Sequence, residues 1–193
     1  MSSGDARSIA PALGKRRGDL SKNDLGDVMA ELTNLESKLA EVLGLAEASK
    51  GAAETVKDML DEDEQDLAST LDRMHQEAVE TAERCIEVAG GFDGKKTAIV
   101  EAARETKQEA TEMMETYLEG EDDALDGFEF LTMAEAGEVG HWAILKKLNE
   151  RAGFSTVTEL ADWALPVQEE HLNLILKGAL DLAGREDPNE AAE

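Results

Sequence analysis

Apolar residues recur at steps of three and four along most of this chain, the spacing that lines up one face of an α-helix. Turn residues interrupt the pattern at Ser49–Lys50–Gly51, Gly90–Gly91–Phe92–Asp93–Gly94, Gly120–Glu121–Asp122 and Gly153–Phe154–Ser155. Five segments result. The first, 23–48, opens on Asn23 or Asp24 as a cap and aligns Met29, Leu32, Leu39 and Leu43. The second, 52–89, places Val56, Leu60, Leu67, Leu71, Met74, Ala78 and Cys85 near one face. The third, 95–118, is weakly amphipathic and reads as one or two short helices. The fourth, 122–151, carries Phe128, Leu131, Trp142, Leu145 and Leu148. The fifth, 156–183, begins at Ser155 or Thr156 and carries Leu160, Trp163, Val167, Leu174 and Leu182. No strand pattern competes. The expected fold is all-α: an antiparallel four-helix bundle with a short helical connector between the second and the last long pair. Residues 1–22, which contain Lys15, Arg16 and Arg17, and residues 184–193 read as mobile ends around a single domain, 23–183.

Composition narrows the chemistry. Hydrophobic residues make up 41% of the 193 positions, enough for a core. The few aromatics (four Phe, two Trp and one Tyr) fit helices better than sheets. With 44 acidic and 19 basic side chains the formal charge is −25, which repels phosphate backbones and anionic lipid heads and attracts cations. Nucleic acid and membrane are therefore not expected partners. No apolar run approaches the roughly 18 residues of a membrane span, and the basic cluster follows the weak apolar run Ile9–Leu13, the reverse of a secretory signal. Lone Cys85 allows no internal disulfide and no cysteine-rich zinc site, in keeping with a cytoplasmic location. Nucleophile-elbow, Walker, dinucleotide-binding and CxxC motifs are all missing. The run Asp61–Glu62–Asp63–Glu64 lacks EF-hand spacing and is expected to be a solvated helical face.

The informative residues are ionisable groups on stripes that should be dry. Glu36 interrupts Met29–Leu32–Leu39–Leu43 in the first segment. In the fourth, Glu135 and Glu138 occupy the seam between Leu131 and Trp142, with His141 one turn beyond Glu138. In the fifth, His171 shares a seam with Val167 and Leu174, and Glu170 adjoins it. The second offers His75, three residues after Asp72, and then Glu77 and Glu80. Burying an unpaired carboxylate costs several kcal/mol or forces its protonation. Several carboxylates aimed at one interior repel, and a cation relieves both difficulties. Helix bundles use this device, with carboxylate–histidine pairs at i, i+3 over one turn. Asp72–His75 and Glu138–His141 have that offset, whereas His171 has the amide Gln168 there. Trp142 and Trp163 read as core packing.

The layout resembles the ferritin-like superfamily, in particular the YciE/YciF-like branch of stress-associated bacterial proteins, over roughly residues 28–183. The residues that carry the resemblance are Leu35–Glu36, Glu80–Thr81 before a Gly-rich break, His141–Trp142–Ala143–Ile144, Ala152–Gly153, and Leu160 through Glu169–Glu170. It implies a four-helix bundle with a di-iron or di-manganese carboxylate site, often dimeric, so a homodimer or higher homo-oligomer is expected. The chain departs from the branch at Gly140 and Ala143, which stand where acids flank the histidine, and at Glu77, which stands where a histidine is expected. Glu138 or Glu135 would then serve from a neighbouring turn, and Pro166 would kink the last helix beside the site. The expected metal ligands are Glu36, His75, Glu77, Glu138, His141, Glu170 and His171, holding about one or two iron or manganese ions per chain. The alternative is a non-enzymatic helical bundle for association or stress protection, whose inward acids are protonated or paired and bind no metal.

Overall fold

The computed structural model describes residues 30–121 and 123–189. Among these residues there are five α-helices and no strand: α1 (Asn34–Lys57), α2 (Gln65–Ala89), α3 (Lys96–Tyr117), α4 (Ala124–Ala152) and α5 (Ser155–Ala183). The all-α expectation holds. No described helix is long and apolar enough to cross a membrane. The expected tail 1–22, the caps Asn23 and Asp24, Met29 and the last four residues lie outside the described residues.

Three helix boundaries differ from the sequence reading: both ends of α1 and the start of α2, at Gln65 instead of residue 52. The Thr33 side chain accepts from the Glu36 backbone N–H at 3.3 Å, and Glu36 Oε2 accepts from the Thr33 N–H at 2.7 Å. This reciprocal capping box starts α1 at Asn34, a Thr-x-x-Glu signature that the Leu stripe had masked. At its other end α1 runs through Ser49–Lys50–Gly51 and stops at Lys57. An exposed glycine within a helix costs only about 1 kcal/mol. Beyond it Ala52, Ala53 and Val56 are buried, which offsets that penalty. The acidic run 61–64 is consequently a loop and not a helical face. Glu64 Oε2 accepts from the Asp61 N–H at 3.0 Å, and its Oε1 pairs with Arg185 at 2.7 Å, just past α5.

The third segment is also corrected. It is one helix of 22 residues, not a short connector, and it packs mainly against α1. Its buried stripe is narrow, with only Ala98, Ile99 and Ala103, which explains the weak amphipathic signal. Gly44 of α1 permits the close approach. A Cβ there would stand 2.6 Å from Thr106 Cβ and would also strike the Ala103 carbonyl.

α1 also packs on α2 and α4, while α5 packs on α4 and α2. Pro166 lies inside α5 without ending it. The α4–α5 corner turns on Gly153 at φ 77°, and Asn149 fastens it by accepting from the Phe154 N–H and donating to Thr158 Oγ1. The buried apolar residues form two clusters. One contains Leu39, Leu43, Ala82, Cys85, Trp142, Leu145, Leu160 and Ala164. The other contains Val56, Leu71, Met74, Phe128, Leu131, Ile175 and Leu182. On each of α1, α2, α4 and α5 the chain passes from one cluster to the other, so every one of these helices has a middle level that belongs to neither.

Candidate functional site

That middle level is polar. α1 brings Ser49 and α2 brings Glu77 and Thr81, while α4 contributes Glu135 and Glu138 and α5 contributes Gln168 and His171. Thr81, Glu135, Glu138, Gln168 and His171 are all buried. His171 Nε2 is 2.6 Å from Glu77 Oε2, and its Nδ1 is 3.7 Å from Glu135 Oε2, too long for a hydrogen bond but close enough for charge attraction. Ser49 donates to Glu135 Oε1 at 3.5 Å. Thr81 donates along its own helix to the Glu77 carbonyl at 2.7 Å. The result is a chain of ionisable groups, Glu77–His171–Glu135, with Glu138 beside Glu135.

Satisfaction is incomplete. Glu135 Oε2, Glu138 Oε2, His171 Nδ1, Gln168 Oε1 and Trp142 Nε1 are buried without a hydrogen-bond partner. Most buried polar atoms in folded proteins have one, so a cluster of exceptions at one level asks for an explanation. Burial pushes the Glu138 carboxyl well above the usual carboxylate range, the Glu135 charge pushes it further, and Ser49 opposes both. For His171, burial disfavours the imidazolium, but Glu135 and then Glu77 outweigh it and raise the imidazole above its ordinary value. The layer therefore holds protons more readily than the same groups would in water, with His171 set between two acids. Cys85 lies close to this carboxyl. Burial, and secondarily Glu138, push its thiol up and leave it unreactive.

The structure brings together three of the seven expected ligands, Glu77, Glu138 and His171, and disperses the other four. Glu36 is buried but is used by the capping box at the start of α1. His75 faces the α1 edge, 3.3 Å from the Lys50 carbonyl and 3.4 Å from Glu54. His141 sits at the rim, 3.0 Å from Glu41 and 3.5 Å from Lys38 Nζ. Glu170 faces outward and pairs with Arg73 at 2.8 Å. Helix geometry explains the displacement of His141 and Glu170. Residues at i and i+3 are separated by about 60° around the axis, so a seam Glu138 leaves His141 at the boundary. Neighbours are separated by about 100°, so Glu170 and His171 cannot share an inward face. His171 takes it.

Glu135 and Gln168 complete the layer although neither was among the expected ligands. The signal for Glu135 was its place on the Leu131–Trp142 seam. Ser49 had no such signal, because its neighbours Lys50 and Gly51 read as a turn. A di-metal centre built from the seven expected residues does not fit this arrangement. Among the described residues, no three His, Cys, Asp or Glu side chains already close on one point in a geometry that could hold a metal ion. What the layer does present is unfilled coordinating capacity: two carboxylate oxygens and one imidazole nitrogen.

Fold and layer together define an all-helical protein with carboxylates and an imidazole buried at mid-height. In comparisons with protein-family models, with curated proteins and with solved structures, the chain matches none.

Proposed function

We propose that this is a ferritin-like bundle protein that takes up an iron or manganese ion in its buried polar layer, with Glu77, Glu135, Glu138 and His171 as the ligands. The observation that carries this reading is the set of partnerless buried atoms Glu135 Oε2, Glu138 Oε2 and His171 Nδ1. Carboxylate and imidazole suit iron and manganese, whose affinity is set by such oxygen and nitrogen donors. A bound cation would neutralise the like charges of Glu135 and Glu138 and supply Lewis-acid or redox chemistry at the layer. The protein's own part is to hold Glu138 and His171 deprotonated around the ion and to keep water away with the two apolar clusters. Because the side chains do not form a ready cage, uptake is coupled to their reorientation and to proton release.

A metal-free bundle is the second reading, favoured by the closed Glu77–His171 bond at 2.6 Å and by the raised Glu138 carboxyl, which let the layer stand on shared protons. One experiment separates the two. The full chain is stripped with chelator, reconstituted with ferrous or manganous ion, and analysed for metal content and melting temperature. The metal reading expects about one tightly held ion per chain and a higher melting temperature, as mass action requires for a ligand bound only by the folded state. Glu138→Ala should abolish both. No retained metal and an unchanged melting curve would leave the metal-free bundle.

A further inference from the structure

A groove runs between α3 and α4 with α1 as its floor. Met113 and Met114 of α3 face Phe130, Met133 and Gly137 of α4 across it, and Ala48 lies beneath. Its cavity volume is about 160 Å³, close to that of an apolar protein cavity known to admit a single aromatic ring. Among the described residues that line it, Glu138 is the one acidic side chain, and neither lysine nor arginine contributes. Glu138 is only 4% exposed, and its Oε2 has no partner. The groove thus combines a flexible thioether and phenyl wall with a single buried carboxyl, the Ser49 and Thr111 hydroxyls and, at its rim, the His141 imidazole.

We propose that this groove binds a compact organic cation, an apolar body about one ring in size whose primary ammonium pairs with Glu138. Three observations select that class. Methionines adapt their shape to an apolar guest, and four side chains here (Met113, Met114, Met133 and Phe130) provide the contact. The partnerless carboxyl calls for a donor, and Glu135 next to it makes that donor a cation in preference to a neutral group. An anion would meet both acids and the −25 charge of the chain. A bare metal ion, by contrast, would leave the apolar walls unfilled. The inference goes beyond metal uptake, since of the four proposed metal ligands only Glu138 lines the groove.

The test uses the chelator-stripped full chain, so that it can succeed or fail whatever the outcome with metal. Calorimetric titrations compare three probes of one shape: benzylammonium, benzyl alcohol and benzoate. Benzylammonium should bind saturably and roughly tenfold tighter than benzyl alcohol, the scale of one charge-assisted hydrogen bond, and benzoate should not bind. Glu138→Gln, which keeps the shape and removes the charge, should reduce benzylammonium to the level of the alcohol. Gly137→Phe should abolish binding of both, since a Cβ at Gly137 meets nothing within 4 Å and the ring can occupy the groove. Melting curves establish that both variants are folded. Equal affinity for all three probes, full benzylammonium affinity in Glu138→Gln, or no saturable binding by the parent chain would overturn the proposal.

Discussion

His171 on α5 and Glu77 on α2 meet at 2.6 Å, imidazole Nε2 to carboxylate Oε2, and this contact ties together two helices that otherwise share a modest interface. The histidine is 1% exposed and the carboxylate about a third exposed, so one partner is fully inside and the other reaches toward the edge. On its far side the same ring faces Glu135, which is as buried as the histidine. His171 therefore lies between two acids that together raise its imidazole above the ordinary value, and removing it harms more than one contact.

Substituting His171 by Ala should destabilise the metal-free protein by about 3 kcal/mol, because Glu135 is left buried without its compensating partner. Glu77→Ala should have a smaller effect, since water reaches that carboxylate. The double variant should fall short of the sum by about 1 kcal/mol or more, as expected for residues in direct contact. Urea unfolding of the four proteins measures this, and strict additivity would contradict a working Glu77–His171 pair.

The layer also sets a pH dependence. Glu138 titrates higher in the folded chain than in the unfolded one, so the folded state holds the proton more tightly. Its contribution to stability is complete at low pH and declines as pH rises above the ordinary carboxylate value of about 4.3. His171 acts in the same direction: its raised value gives stability that is present below about pH 6.5 and lost as pH rises through the folded value. Glu138→Gln cannot titrate. Its melting temperature relative to the parent should climb steadily from pH 4.5 to pH 8 in the presence of chelator. A gap that stays constant or narrows would mean that Glu138 is ionised throughout.

Glu36 separates a structural acid from a ligand. Thr33→Ala removes a side-chain cap and should lower stability by about 1 kcal/mol. Glu36→Gln keeps an oxygen for the Thr33 N–H and should cost less. Neither change should alter the metal content of reconstituted protein, because Glu36 is committed to the end of α1. Metal loss in Glu36→Gln at unchanged stability would return this residue to the site.

Gly44 and Gly178 are among the glycines that mark where helices touch. A Cβ on Gly178 would stand 2.7 Å from Phe128 Cδ1, as a Cβ on Gly44 would crowd Thr106. Alanine favours a helix by about 1 kcal/mol over glycine, yet overpacking typically costs 1 to 3 kcal/mol. Gly44→Ala meets backbone as well as side chain and should be the more harmful of the two. Gly137→Ala, with open space around its Cβ, should instead stabilise. Thermal melts of the three variants give the order directly.

What the sequence decided by itself was the helical class, the start of α5, and the identity of most acids and imidazoles that face inward. Each rests on local physics: a 3.6-residue period, a turn residue, or a charged side chain breaking an apolar stripe. Glu138 and His171 were legible because each broke an apolar stripe at helical spacing, Glu138 together with Glu135 between Leu131 and Trp142, and His171 between Val167 and Leu174. The α1–α2 loop was not, because Gly51 looks like a break locally, and only the burial of Ala52, Ala53 and Val56 against other helices carries α1 past it. Glu36 and Glu170 show the same limit from the other side. A stripe places a residue to within about a quarter of a turn, while a cap or an outward ion pair then claims it. Which carboxylates share one level depends on how far each helix slides along its neighbours. That register is fixed by packing at contacts such as Gly44 with α3 and Gly178 with Phe128, and it decided that Ser49, Glu77, Glu135, Glu138, Gln168 and His171 would meet.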